Sequence, residues 1–260
     1  MIIQGEITCF EKRQDKIEIV EGVWHRYAYT FKEDLEEHSR NYEEFLSEEE
    51  LSILKKKERR NKGKEYVHSR AFAKEFFRQM IDSEHLFLDM KDVEIRNDVN
   101  GLTKGKPRIH VNNRSIKGST SLSHSDSSIL ISHGKNCWMG VDVQEVITSE
   151  AIVENESIFS FEERRIIDSG ECFPKNKTLT ATLIWSIKEA VGKALGVGLS
   201  LGLKSISVME IRNGQIWINL IPEVENVLLS PDNRLIIYYK QQGKTFFVIC
   251  CMFEKAKLEA

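Results

Sequence analysis

Ile184, Ile187, Val191, Ala194 and Leu195 recur at the 3.6-residue period of an α-helix, and this stripe most constrains the fold. A helix with one apolar face must lie against something that buries it. Strand-like stretches follow at Ser205–Ile211, Gln215–Leu220, Arg234–Tyr239 and Thr245–Phe253, the last two reading as a hairpin across Gln242-Gly243. Gly196, Gly198 and Gly202 end a largely helical region running from Thr148 to Lys193. The N-terminal half has a similar mixture, with strands at Ile2–Cys9 and Ile17–Trp24 ahead of helices. Ile129–Ser132 and Cys137–Val143 read as a hairpin through Gly134. The pattern predicts an α+β fold in two lobes, residues 1–139 and 140–260.

In the first half, Ser47 and Glu50 form a capping box flanked by Leu46 and Leu51, which starts a helix at Glu48. That helix runs into a basic cluster, Lys55, Lys56, Lys57, Arg59, Arg60, Lys62 and Lys64, with Gly63 a break. A second helix over residues 64–81 buries Tyr66, Phe72 or Ala73, Phe76, Phe77 and Met80. The basic cluster is either a solvated helix face or a place for phosphates. The net charge of −3 argues against a general nucleic-acid binder. The five cysteines include no C-x-x-C pair, which disfavours a disulfide framework or structural zinc and favours a reducing compartment. With no signal-like start and no apolar run long enough to span a bilayer, the expectation is a cytoplasmic protein that does not engage membranes.

Three segments carry chemistry. In Gly140-Val141-Asp142-Val143-Gln144, strand alternation turns Asp142 and Gln144 to one face. A buried acid there needs a partner or a metal; a strand-end Asp bonded to loop N–H groups is the plain alternative. On the amphipathic helix, Ser186, Glu189 and Lys193 lie opposite the apolar stripe. Glu189 and Lys193 are one turn apart, as either an exposed ion pair or a site for metal-assisted phosphate chemistry. Gly192 inside that helix suggests close approach of another group. Ser121-Leu122-Ser123-His124-Ser125 reads as a surface loop or as donors for a phosphate.

In this order, the segments resemble the Sfp-type 4′-phosphopantetheinyl transferases. The family pattern has a G-K-P turn, S-H-S, G-[VI]-D-[VIL]-E and W-[ST]-x-K-E-[AS]-x-x-K-x-x-G-x-G-L. These correspond to Gly105-Lys106-Pro107, Ser123-His124-Ser125, Gly140 to Gln144, and Trp185 to Leu199. Trp185, Lys188, Glu189 and Ala190 are similar to the W/KEA subgroup, and Phe159-Ser160-Phe161-Glu162-Glu163 to the family's F-[ST]-x-x-E helix start.

The resemblance implies two similar lobes related by a pseudo-twofold, with coenzyme A as co-substrate and Mg²⁺ in the cleft between them. It implies Asp142 and Glu189 as metal ligands, with Glu189 also the general base and Lys193 on the pyrophosphate and leaving group. Asp142, Glu189 and Lys193 are thus the catalytic set. Lys188 is implied as a phosphate or structural partner. Ser123 and His124 would meet the 3′-phosphate region, Lys106 another part of the nucleotide, and Lys55, Arg59 and Arg70 the 3′-phosphate. The family's second strand acid is Gln144 here, so its amide would join the metal shell through its carbonyl oxygen or through water.

The implied reaction is transfer of the phosphopantetheine arm to a serine of an apo acyl or peptidyl carrier protein domain, performed by a monomer without nucleic acid. Two competitors have different signatures. A non-enzymatic binder of RNA or an acidic partner through the basic helix would show steep salt dependence and no coenzyme A affinity. An acyl transferase would need a His or Cys base, for which only His124 offers itself.

Overall fold

The computed structural model describes residues 2–36, 38–82, 88–98, 105–154, 158–169, 176–196, 202, 204–221 and 233–254. The largest sheet has six strands: β1 (Ile2–Cys9), β9 (Trp138–Glu145), β10 (Ile206–Arg212), β11 (Gln215–Leu220), β12 (Asn233–Gln242) and β13 (Thr245–Glu254). They lie in the order β10-β11-β1-β12-β13-β9, antiparallel except for the β1–β12 pair. The second sheet, in the order β2-β3-β8-β7, contains β2 (Gln14–Val20), β3 (Val23–Phe31), β7 (Ser119–His124) and β8 (Ser128–Lys135). A small third sheet joins β4 (Val93–Asn97), β5 (Pro107–Val111) and β6 (Arg114–Ser115). The helices are α1 (Glu48–Glu58), α2 (Gly63–Asp82), α3 (Ser149–Glu154), α4 (Phe161–Ser169) and α5 (Lys177–Leu195).

Strand β13 explains the stacking. Phe246, Val248, Cys250 and Met252 join a core with Ile184, Ile187, Val191 and other residues of α5. Phe247, Ile249, Cys251 and Phe253 face Tyr27, Tyr29 and Leu130 of the second sheet. A strand covered on both sides must be apolar throughout. Beyond the second sheet, Ala73, Phe76 and Phe77 of α2 pack with Val93, Ile95, Ile109 and Ile131. The order of layers is therefore α4/α5, six-stranded sheet, four-stranded sheet, α2 with the small sheet.

Some sequence expectations change. The expected hairpin through Gly134 is not one: β8 pairs with β3 and β7, whereas β9 pairs with β13. A turn with Asn136 at positive φ sends consecutive strands into different sheets. The expected strand at Ile17–Trp24 is two strands, folded back at Gly22, whose φ of 75° suits glycine. The expected break near Gly63 is present: α1 ends at Glu58 and Gly63 opens α2. Strand β1, from the N-terminal segment, lies between β11 and β12 and so crosses the expected division at 139/140.

The seam between the two large sheets is built from side chains. Ser119, Ser121 and Ser123 of β7 point at the free edge of β9. Their hydroxyls accept from the N–H groups of Met139, Val141 and Val143 at 2.8, 3.0 and 3.3 Å. Buried N–H groups need acceptors, and serine at every second position supplies them.

Each half also contains a buried carboxylate–ammonium pair. Ser47 caps α1, with its N–H reaching Glu50 at 3.1 Å and its hydroxyl accepting from the Glu50 N–H. Glu50 then holds Lys74 of α2 at 2.7 Å and accepts from Ile95 N–H of β4. Ser160 and Glu163 make the same box at the start of α4. Glu163 holds Lys188 of α5 at 2.9 Å and accepts from Val208 N–H of β10.

Candidate active site

The site forms where α5 crosses β9. Asp142 is on the helix side of β9, and Gly140 beside it allows the close approach. A Cβ on Gly140 would sit 1.8 Å from the Ala190 carbonyl oxygen and 2.4 Å from the Ala194 nitrogen, so no side chain fits. α5 starts at Asn176, whose side chain accepts from Thr178 and Leu179 N–H, and ends at Gly196 in the left-handed region.

Asp142 is buried and accepts from three donors. Ser123 Oγ and Lys193 Nζ reach one carboxylate oxygen at 3.1 and 2.8 Å, and Ser186 Oγ reaches the other at 2.8 Å. Lys193 also donates to Ser123 Oγ at 3.1 Å and lies 4.0 Å from Glu189. The Lys193 ammonium thus sits between two carboxylates, from β9 and from α5. Burial raises the Glu189 pKa, with Asp142 adding to the rise and Lys193 opposing it.

This donor set fits Mg²⁺. Two carboxylate oxygens from separate elements face a common point already occupied by a cationic group, and magnesium is commonly held by one or two carboxylates with phosphates and water completing the shell. Among the described residues, no group of three or more His, Cys, Asp and Glu side chains is placed to hold a metal. Gln144 is not joined to them by hydrogen bonding; its amide donates to the Glu145 carbonyl at 3.0 Å.

A cavity of about 410 Å³ opens on the other side of β7. Leu122 and His124 line it, whereas Ser121 and Ser123 face β9, as strand alternation requires. Ser123 and His124, paired by the sequence reading, therefore serve different places. From α1, α2 and the turn between them the cavity receives Lys57, Lys62, Tyr66, Ser69 and Arg70. The Tyr66 hydroxyl and Arg70 Nε are buried without a hydrogen-bond partner, Arg70 Nε lying 3.8 Å from the Glu50 carboxylate. His124 lies 3.4 Å from Glu65. Lys55 and Arg59 do not line this cavity, whereas Lys57 and Lys62 of the same basic cluster do. Their identity depends on the roll of α1 and the turn before α2, which a loosely aligned basic run does not reveal.

Lys106 and Lys188 lie elsewhere. Lys106 lines a separate cavity of about 330 Å³ with Trp138 and Leu195, and donates to the Ala194 carbonyl at 3.3 Å. Burial, with Arg108 adding repulsion, pushes its pKa down to about 8. Lys188 is wholly buried against Glu163 and also donates to the Ile158 carbonyl. It faces neither Asp142 nor the larger cavity. Ser186, which the motif marks only as a hydroxyl position, proves to be a direct partner of Asp142. The Gly198-Leu199 end of the motif lies outside the described residues.

No described helix is long and apolar enough to cross a membrane. No curated protein matches the chain. Residues 139–239, the span that holds Asp142, Glu189 and Lys193, match the family model of the 4′-phosphopantetheinyl transferase superfamily.

Proposed function

We propose that the chain is an Sfp-type, magnesium-dependent transferase that moves the 4′-phosphopantetheine arm of coenzyme A to a serine of an apo carrier protein. The observation that carries this reading is the meeting of Asp142 and Glu189 around Lys193 within the matched span. The cavity with Lys57, Lys62, Arg70 and His124 supports a place for the 3′-phosphate end of coenzyme A. The two serine-capped Glu–Lys pairs support two related lobes, 1–139 and 140–260, with β1 exchanged across the division.

Asp142 and Glu189 would hold Mg²⁺, which supplies charge neutralisation at the pyrophosphate. Glu189 accepts the proton of the carrier serine. The serine oxygen forms its bond to the β-phosphorus as the bond to the bridging oxygen breaks, and adenosine 3′,5′-bisphosphate leaves. Lys193 turns from Asp142 to the leaving phosphate and offsets its growing charge. Ser123 and Ser186 keep Asp142 oriented while Lys193 moves.

The test is incubation with coenzyme A, Mg²⁺ and either an apo acyl carrier or an apo peptidyl carrier protein, followed by intact-mass measurement. The expected result is a carrier heavier by one phosphopantetheine arm, absent when magnesium is chelated. Unmodified carriers of both kinds, with folded enzyme, would overturn the proposal.

A further inference from the structure

Lys188 has the charge and motif position of a phosphate contact, but the structure gives it a different task. Its side chain has no exposed surface, and its ammonium is spent on Glu163 and the Ile158 carbonyl. Glu163 is equally buried; beyond Lys188, it accepts from Ser160 N–H at 2.7 Å and Val208 N–H at 2.9 Å. One carboxylate therefore ties together the start of α4, the middle of α5 and the edge strand β10.

The other half has the same knot. Glu50 joins the start of α1, the middle of α2 and β4 through Ser47 N–H, Lys74 and Ile95 N–H. Lys74 completes its shell with the Met90 and Val93 carbonyls. Both lysines are followed by glutamate, Glu75 and Glu189. Glu75 binds Arg78 and Gln79 on its own helix, so the Ser–Glu–Lys knot occurs where the neighbouring glutamate holds no metal-type arrangement. The knot is separable from the chemistry.

What it fixes is helix roll. Successive residues on an α-helix turn by about 100°, so locking one side chain sets the direction of its neighbours. With Lys188 locked away from the cleft, Ser186 and Lys193 meet Asp142 and Glu189 meets Lys193. With Lys74 locked, Arg70 one turn earlier lies 3.8 Å from Glu50 and lines the larger cavity. We infer that Lys188 and Lys74 are paired positioning residues: Lys188 aims the reacting face of α5, and Lys74 aims the nucleotide-binding face of α2. This rests on the transferase reading for what each face does.

Removing one lysine strands a buried carboxylate and can prevent folding. The test therefore uses two double variants, Glu163→Gln with Lys188→Met and Glu50→Gln with Lys74→Met, which remove both members of each buried pair; in the second, Arg70 also loses its neighbouring carboxylate, 3.8 Å away. Coenzyme A affinity is measured by calorimetry, turnover at saturating coenzyme A by carrier mass gain, and helix order by amide hydrogen exchange. The α5 pair should lower turnover by about tenfold or more while coenzyme A affinity stays within about threefold; the α2 pair should do the reverse. Exchange should quicken in α5 in the first variant and in α2 in the second. Loss of coenzyme A affinity with retained turnover in the α5 pair would make Lys188 a phosphate contact and overturn the inference. Equal loss of both quantities in both variants, or no loss in either, would also overturn it. If wild-type protein binds no coenzyme A, the transferase reading falls, and the knots are judged on exchange alone: helix-specific quickening sustains them and uniform quickening sinks them.

Discussion

Asp142 is ringed by donors, and that makes it a cation site only when Lys193 yields. Its two serine partners are neutral and can stay, but the ammonium occupies the side that faces Glu189. The proposed chemistry therefore places different demands on the two helix residues. Glu189→Gln keeps shape and removes the proton acceptor and a metal charge, so turnover should fall by about 100-fold or more. Lys193→Ala should lose turnover and coenzyme A affinity together, because the same ammonium meets ground state and leaving group. Steady-state transfer and a coenzyme A titration separate the two, and wild-type turnover by either variant would remove the assigned role. Gln144→Glu tests the departure from the family pattern: the magnesium half-saturation point should move lower if position 144 can reach the ion. An unchanged curve would take it out of the metal shell. Asp142, Glu189 and Lys193 were legible in the sequence through the resemblance of their segments to the family pattern, since spacing alone pairs only Glu189 with Lys193. The partner of Lys188 was not, because Glu163 is on another helix and burial leaves no mark on a local pattern.

The contact of α5 with β9 is the element-level condition for the site. Gly140 meets the backbone of α5, not a flexible side chain, so a methyl group there cannot be accommodated by a rotamer change. Gly140→Ala should destabilise the fold by about 1–3 kcal/mol as overpacking does, or more if the helix is forced off the strand. Urea unfolding should show the lower midpoint, and a native-like midpoint would mean that α5 is not seated as described. The capping box at Ser47 and the strands after residue 205 were readable locally, since each depends on neighbours in the chain. The false hairpin through Gly134 shows the limit. Two strands and a turn specify a reversal, but β9 pairs with β13, from the far end of the chain, and leaves its other edge to the serines of β7. The alternation of Ser119, Ser121 and Ser123 was the available signal, and it resembles any polar strand until the edge it serves is known.

At the scale of the whole molecule, the four layers bury groups that no local pattern marks as buried. β1 enters the six-stranded sheet between strands distant from it in sequence, and only long-range pairing decides that. His25 is the clearest consequence. It lies between the two large sheets with no exposed surface, beside the rings of Tyr27 and Tyr238, and neither ring nitrogen has a hydrogen-bond partner. Burial pushes its pKa down to about 4, with Asp15 opposing the shift weakly. His133, also buried, is pushed down to about 4 for the same reason. An unfolded histidine binds its proton near pH 6.5. Between pH 6.5 and 4 the unfolded chain therefore holds more protons than the native one, so stability falls as the solution is acidified through that window. For His25 alone the loss between pH 7 and pH 5 should be about 2 kcal/mol. His25→Phe keeps a flat ring between the sheets and removes the titration, so its unfolding free energy should fall by correspondingly less than that of wild type over the same interval. Urea unfolding of both proteins at pH 7 and pH 5 gives the comparison. Equal losses would mean that His25 is protonated in the native state or that water reaches it, and the dry packing of the two sheets around it would have to be abandoned.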